Sequence, residues 1–185
     1  MTRMEGGIGG DVQPCGHSNR IYSLCFVPDS GAGVLVSGGW DQTVQVWDAR
    51  EGQAVRSISG PLVCGDSLDV RGSQLLAGSW RHEHHLQLFD LGSGRLITNL
   101  PLAAEGDQCK VYAAKFTPAG NIVAGTVGSG RPFVRCLKQT GEAMGSAFLP
   151  AGVTSIDLQR SAPGGSTLCA ACGGPGAALI DLGVL

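Results

Sequence analysis

Ser37-Gly38-Gly39-Trp40-Asp41-Gln42-Thr43-Val44-Gln45-Val46-Trp47-Asp48 is the stretch whose reading decides the fold. Its second half alternates. Val44 and Val46 point one way, and Thr43, Gln45 and Trp47 the other, which is the two-residue period of a pleated strand. Gly38 and Gly39 read as the turn region ahead of that strand. Further upstream, residues 21–26 (Ile-Tyr-Ser-Leu-Cys-Phe) give a second strand, and Gly16-His17 precedes it. The whole stretch is expected to form a β-hairpin within a small antiparallel sheet.

Working outward, the pattern recurs. Residues 53–58 alternate and end at Gly60-Pro61, a turn signal. Residues 66–70, 74–78, 85–90 and 95–100 then occupy the places of four further strands, with Phe89-Asp90 where Trp47-Asp48 stood. Asp48 and Asp90 lie 42 residues apart, and Trp40 and Trp80 lie 40 apart. A fainter third unit reads strands at 111–116, 121–125, 132–137 and 142–148. A fourth reads them at 153–158, 167–171 and 177–181, with Ile180-Asp181 in the Trp-Asp place. Leu185 follows before any fourth strand of that unit.

A Gly-His pair, short strands and a closing Trp-Asp in the first unit, followed by three divergent units at a period of 40–45 residues, resembles the repeat of WD40 β-propeller proteins. The resemblance covers about residues 15–185. It implies an all-β fold of about four antiparallel propeller blades, near 15–60, 61–100, 101–149 and 150–185, after a flexible Gly-rich segment at 1–14. It further implies that His17, Ser37, Asp41 and Trp47 form a buried hydrogen-bond chain across the first blade. In the second unit the matching places hold Ala77, Arg81 and Phe89, so the network is lost as a set and no orphan polar group stays buried. The residue before the hairpin Asp lies on the ligand-facing end of such proteins. That puts Trp40 there, with Trp80 by register and Arg81 beside it. Trp and Arg are enriched at binding hot spots.

Composition narrows the function classes. Thirteen basic and fifteen acidic residues give a formal charge of −2, with no electrostatic footprint for nucleic acid or an anionic membrane. No apolar run reaches the ~18 residues of a membrane span, and residues 1–10 lack the apolar core of a secretory signal. Seven scattered cysteines then read as reduced thiols of a cytoplasmic protein. Thirty glycines suit many short strands joined by turns.

Other clusters compete for a chemical role. His17, Ser37 and Asp41 have the composition of a catalytic triad, but the blade network accounts for them. Arg81-His82-Glu83-His84-His85 holds metal-ligand types, yet on an extended segment His82 and His84 share a face that His85 leaves; a solvated hairpin loop is expected. Cys169 and Cys172 have redox or zinc spacing without a second pair, and on a strand they face opposite sides. Gly125-Thr126-Val127-Gly128-Ser129-Gly130 lacks the Lys of a P-loop and reads as a hairpin turn.

The expected protein is a non-enzymatic scaffold that binds other proteins, with no cofactor, metal or catalytic residue assigned. Two alternatives are a structural part of a cytoskeletal or ciliary assembly, and a metal or enzymatic protein using His82, His84 and His85 or Cys169 and Cys172. Four blades are few for a WD40 ring. An incomplete propeller is therefore expected, completed by self-association or by a partner, with end faces at Val44 and Val46 and at Leu168, Leu179 and Ile180.

Overall fold

The computed structural model describes residues 16–28, 30–31, 33–102, 109–128, 130–159 and 168–183. The segment 1–14, read above as a flexible lead-in, lies outside them. The described residues form four antiparallel sheets, each made of consecutive strands. The first blade is β1 (Ile21–Phe26), β2 (Val34–Gly39), β3 (Thr43–Asp48) and β4 (Gln53–Ser59). The second is β5 (Leu68–Arg71), β6 (Gln74–Gly78), β7 (Leu86–Asp90) and β8 (Leu96–Asn99). The third is β9 (Cys109–Phe116), β10 (Ile122–Gly128), β11 (Phe133–Leu137) and β12 (Ala143–Phe148). The fourth has three described strands, β13 (Ser155–Leu158), β14 (Leu168–Gly173) and β15 (Gly176–Asp181).

The Trp-Asp aspartate has a local job. Asp48 Oδ1 accepts the N–H groups of Arg50 and Glu51 at 2.8 and 3.3 Å, closing the turn between β3 and β4. Gly52 then takes a positive φ of 70°. Asp90 does the same with Ser93 N, at 2.7 Å, and Gly94 follows at φ 72°. Asp181 accepts Gly183 N at 2.8 Å. A short carboxylate bonding the backbone two or three residues on is what starts such turns, and glycine supplies the left-handed step.

Three apolar layers fill the joints between successive blades. Val36, Val44, Val46 and Ile58 meet Val63, Leu68 and Val70. Leu76, Leu86 and Leu88 meet Val111, Ala114 and Phe116. Val123, Val134 and Cys136 meet Val153, Ile156 and Leu158. Each joint also carries one backbone bond at the same register: Val63 N to Gly39 O at 3.1 Å, Val111 N to Ser79 O at 3.3 Å, and Val153 N to Thr126 O at 2.9 Å. Both sheet faces are thus covered in the middle blades, which is why β6, β7, β10 and β11 read as nearly continuous apolar runs.

Four expectations need correction. Gly38 and Gly39 are the last residues of β2, and the turn falls at 40–42, where Gln42 takes φ 60°. β10 continues through Gly128, so the 125–130 stretch is strand in its first four residues; the inward-facing Thr126 hydroxyl bonds the Phe133 backbone and holds it there. Asp66 and Ser67 precede β5 because Ser67 is bound to the Gly78 carbonyl and ends the loop. Finally, Val44 and Val46 face the second blade, fully covered; the open face of the first blade is the other side of β1, at Leu24 and Phe26. Leu179 is exposed as expected, whereas Ile180 packs on the layer beneath.

Candidate functional site

Sequence reading picked out four residues from distant parts of the first blade, and the fold brings them together. The Trp47 indole N–H donates to Ser37 Oγ at 2.7 Å. Ser37 Oγ lies 2.7 Å from His17 Nε2, and His17 Nδ1 lies 2.8 Å from Asp41 Oδ2. An indole only donates and a carboxylate only accepts, so the protons run one way along the chain: Trp47 to Ser37, Ser37 to His17, His17 to Asp41. Asp41 also accepts from the Thr43 hydroxyl at 2.9 Å and from Ser18 N at 2.9 Å. Burial pushes the Asp41 carboxyl up, but the bonds from Thr43, His17 and Ser18 outweigh it and hold it below the usual carboxylate value.

The distances alone would suit a Ser-His-Asp triad. Access decides against that reading. Ser37 is 1% exposed and the His17 side chain 3% exposed. The serine oxygen already accepts one proton and shares its own with His17, leaving no approach for a substrate carbonyl. The trio is a rivet through the blade. In the second blade the same register holds Ala77, Phe89 and the exposed Arg81, so none of these three places keeps a buried polar side chain; the buried polar atoms without a partner in that blade lie outside the register, at Trp80 and His85.

Trp40, Trp80 and Arg81 do share a surface. They line one open groove of about 550 Å³ with Leu62, Lys110 and Glu83. Trp40 is 41% exposed; its indole N–H is aimed at the Cys64 sulfur and its ring tilts against Tyr22, with centroids 5.6 Å apart. Trp80 meets Tyr112 edge-on at 5.9 Å, and the Lys110 ammonium sits 4.8 Å from its ring centroid. Arg81 is tied back by a 3.0 Å bond to the Gly60 carbonyl. Both tryptophans therefore straddle joints: Trp40 reaches a residue of the second blade and Trp80 one of the third. Each is held in one orientation while keeping a wet edge. Lys110 and Tyr112 were not singled out from sequence, because their part depends on which blade leans on which.

The histidine run does not gather. His82 and His84 are exposed, His84 takes a positive φ of 57°, and His85 turns inward. Burial, then the neighbouring charges, lowers the His85 imidazole below its ordinary value. Its Nδ1 and the Trp80 Nε1 are buried without a hydrogen-bond partner. Among the described residues no group of three His, Cys, Asp or Glu is placed to hold a metal. Cys169 is buried and Cys172 exposed, on opposite faces of β14. Burial, with Cys136 and Asp157 nearby, pushes the Cys169 thiol up to about 11.

Comparison with known proteins agrees with this geometry. The model of the WD domain, G-beta repeat, matches residues 11–48, which contain the whole polar chain. The chain is 26% identical over 115 residues to WD repeat-containing protein VIP3 of Arabidopsis thaliana, covering 61% of this chain and 35% of that one. It spans 17% to 38% of the length of the first three curated relatives it matches. Among solved structures, the WD40 beta propeller domain of Doa1 aligns at TM-score 0.62 and 21% identity, over 83% of this chain and 48% of that one. The computationally designed Ika4 protein aligns at TM-score 0.67 and 22% identity, over 91% and 94%. At such identities the structural likeness speaks for the fold. The fold is that of a WD40-type β-propeller, and its first blade matches the WD40 repeat itself.

Proposed function

We propose that the chain is a non-enzymatic docking module that holds another protein in the groove between Trp40 and Trp80. The observation that carries this reading is the pair of indoles fixed by contacts across the blade joints, each with one edge left to solvent. Rigid aromatic anchors beside a polar rim suit binding because little side-chain freedom is lost on contact. Arg81 and Lys110 outnumber Glu83 in the lining, which favours a partner segment with acidic residues flanking an apolar one. Cys25, Cys64, Cys136, Cys169 and Cys172 are free thiols, which supports a reducing, cytoplasmic setting.

The test is capture of proteins from cell extract by wild type and by a Trp40→Ala, Arg81→Ala variant with unchanged circular dichroism. Loss of the proteins that wild type enriches is the expected result. Equal capture by both would remove the groove from consideration.

A further inference from the structure

In every joint the later blade inserts three apolar side chains into the face of the one before. They are Val63, Leu68 and Val70 in the second blade, Val111, Ala114 and Phe116 in the third, and Val153, Ile156 and Leu158 in the fourth; all nine are buried. Strand pairing puts Leu24 and Phe26 at the places of the second and third members of each insert, and Ile21 at the place of Val111. These three are 48%, 61% and 67% exposed. The first blade thus carries a complete insert that no described residue receives.

The receiving side has a strict requirement. The leading valine of each insert lies against a glycine of the blade before. A methyl group on Gly38 would come 2.7 Å from Val63, one on Gly78 2.5 Å from Val111, and one on Gly125 2.4 Å from Val153. Carbon atoms do not pack that closely, so a hydrogen is all that fits. The fourth member of this register is Cys172. It pairs with Ser155 as Gly38 pairs with Ser23, and its side chain lies on the exposed face. The fourth blade therefore carries a side chain where a receiving blade has none, and the receiving faces of the other three are filled by their successors.

We propose that the Ile21, Leu24 and Phe26 face is a docking surface for a propeller blade with glycine at the Gly38 register, and that Cys172 bars this chain's own fourth blade from that role. The occupant is a blade other than the four in residues 1–185. It presents an apolar strand pair like Val36 and Val44 and accepts Ile21 over its glycine. The proposal uses none of the groove-lining residues Trp40, Trp80 and Arg81 and stands independently of the function proposed for them.

A donor made from this chain tests the idea. Cys172→Gly opens the fourth blade as a receiver, and Leu24→Glu on the same chain removes its own insert. Mixed with wild type, this donor is expected to form a two-chain complex in sedimentation velocity at micromolar concentration. The matching donor with Cys172→Ala keeps the methyl group and is expected to leave both chains separate. Binding by the alanine donor as strong as by the glycine donor overturns the proposal. So does failure of a glycine donor whose circular dichroism and melting match wild type, or a complex that survives Leu24→Glu on the wild-type partner. Wild type alone gives a second readout that needs no glycine variant. Association abolished by both Leu24→Glu and Leu179→Glu would show the fourth blade docking despite Cys172, and would equally overturn it.

Discussion

Trp47 Nε1 and Ser37 Oγ meet at 2.7 Å across the hairpin, and the same serine oxygen sits 2.7 Å from His17. Strand β3 is thereby locked to the segment ahead of β1. Trp47→Phe keeps an aromatic ring in place but leaves the serine one donor short. Leaving a buried acceptor unsatisfied costs about 1–3 kcal/mol, which denaturant unfolding would register directly. Phe89→Leu at the same register of the second blade is expected to cost only what the lost ring volume takes from packing, with no acceptor left unsatisfied. Equal losses for the two variants would mean that the polar chain adds nothing to its apolar surroundings.

The same network sets a dependence on acid. Because the folded protein holds the Asp41 carboxyl below its ordinary value, the carboxylate contributes stability that is fully present above the unfolded value. That contribution fades as pH falls through the folded value, from about pH 5 downward. Wild type should therefore melt well above Asp41→Asn at neutral pH, and the gap should close in acid. A gap that stays constant from neutral to strongly acid pH would show that Asp41 acts by shape and not by charge.

Glycines of the joint register should resist substitution while others do not. Gly38→Ala drives a methyl group to 2.7 Å from Val63 and 2.9 Å from Leu68, and such overpacking costs about 1–3 kcal/mol. Gly31 has nothing within 4 Å of its added methyl, so Gly31→Ala should leave the melting midpoint almost unchanged. Comparable melting of the two variants would mean that the joint yields easily.

The two cysteines of β14 should differ sharply in reactivity. Cys172 is exposed, whereas Cys169 is buried and its thiol is pushed up to about 11. The thiolate is the reacting form. At pH 8 an alkylating reagent should modify Cys172 within minutes and spare Cys169 until denaturant is added, as peptide mass mapping would show. Matched rates would indicate that the fourth blade opens readily.

Much of this was legible in the sequence, for particular reasons. A 40–42 residue spacing between Trp40 and Trp80 and between Asp48 and Asp90 located the first two units, because each of those blades is one repeat with one turn aspartate. His17, Ser37, Asp41 and Trp47 could be paired because their chemistry leaves one consistent direction for the protons. Strand ends were less visible: Gly38 and Gly39 look like turn residues, yet they are strand residues whose missing side chains admit the next blade. The joints were hidden entirely. Nothing local in Ile21, Leu24 and Phe26 distinguishes an uncovered insert from the covered ones at Val63, Leu68 and Val70, since coverage is set by the neighbouring blade.

The placement of the His17 to Trp47 chain in one terminal blade bears on the order of folding. Stacked repeats fold by nucleation at their sturdiest unit followed by spread to neighbours. Among the described residues the first blade alone couples its strands through a continuous run of three side-chain bonds, so it depends least on a neighbour already being in place. Structure should then grow from it in sequence order, one joint at a time, reaching the three described strands of the fourth blade last. Pulsed amide exchange during refolding should protect Val36 and Val46 before Ile156 and Ile180, and the opposite order would place the seed at the other end.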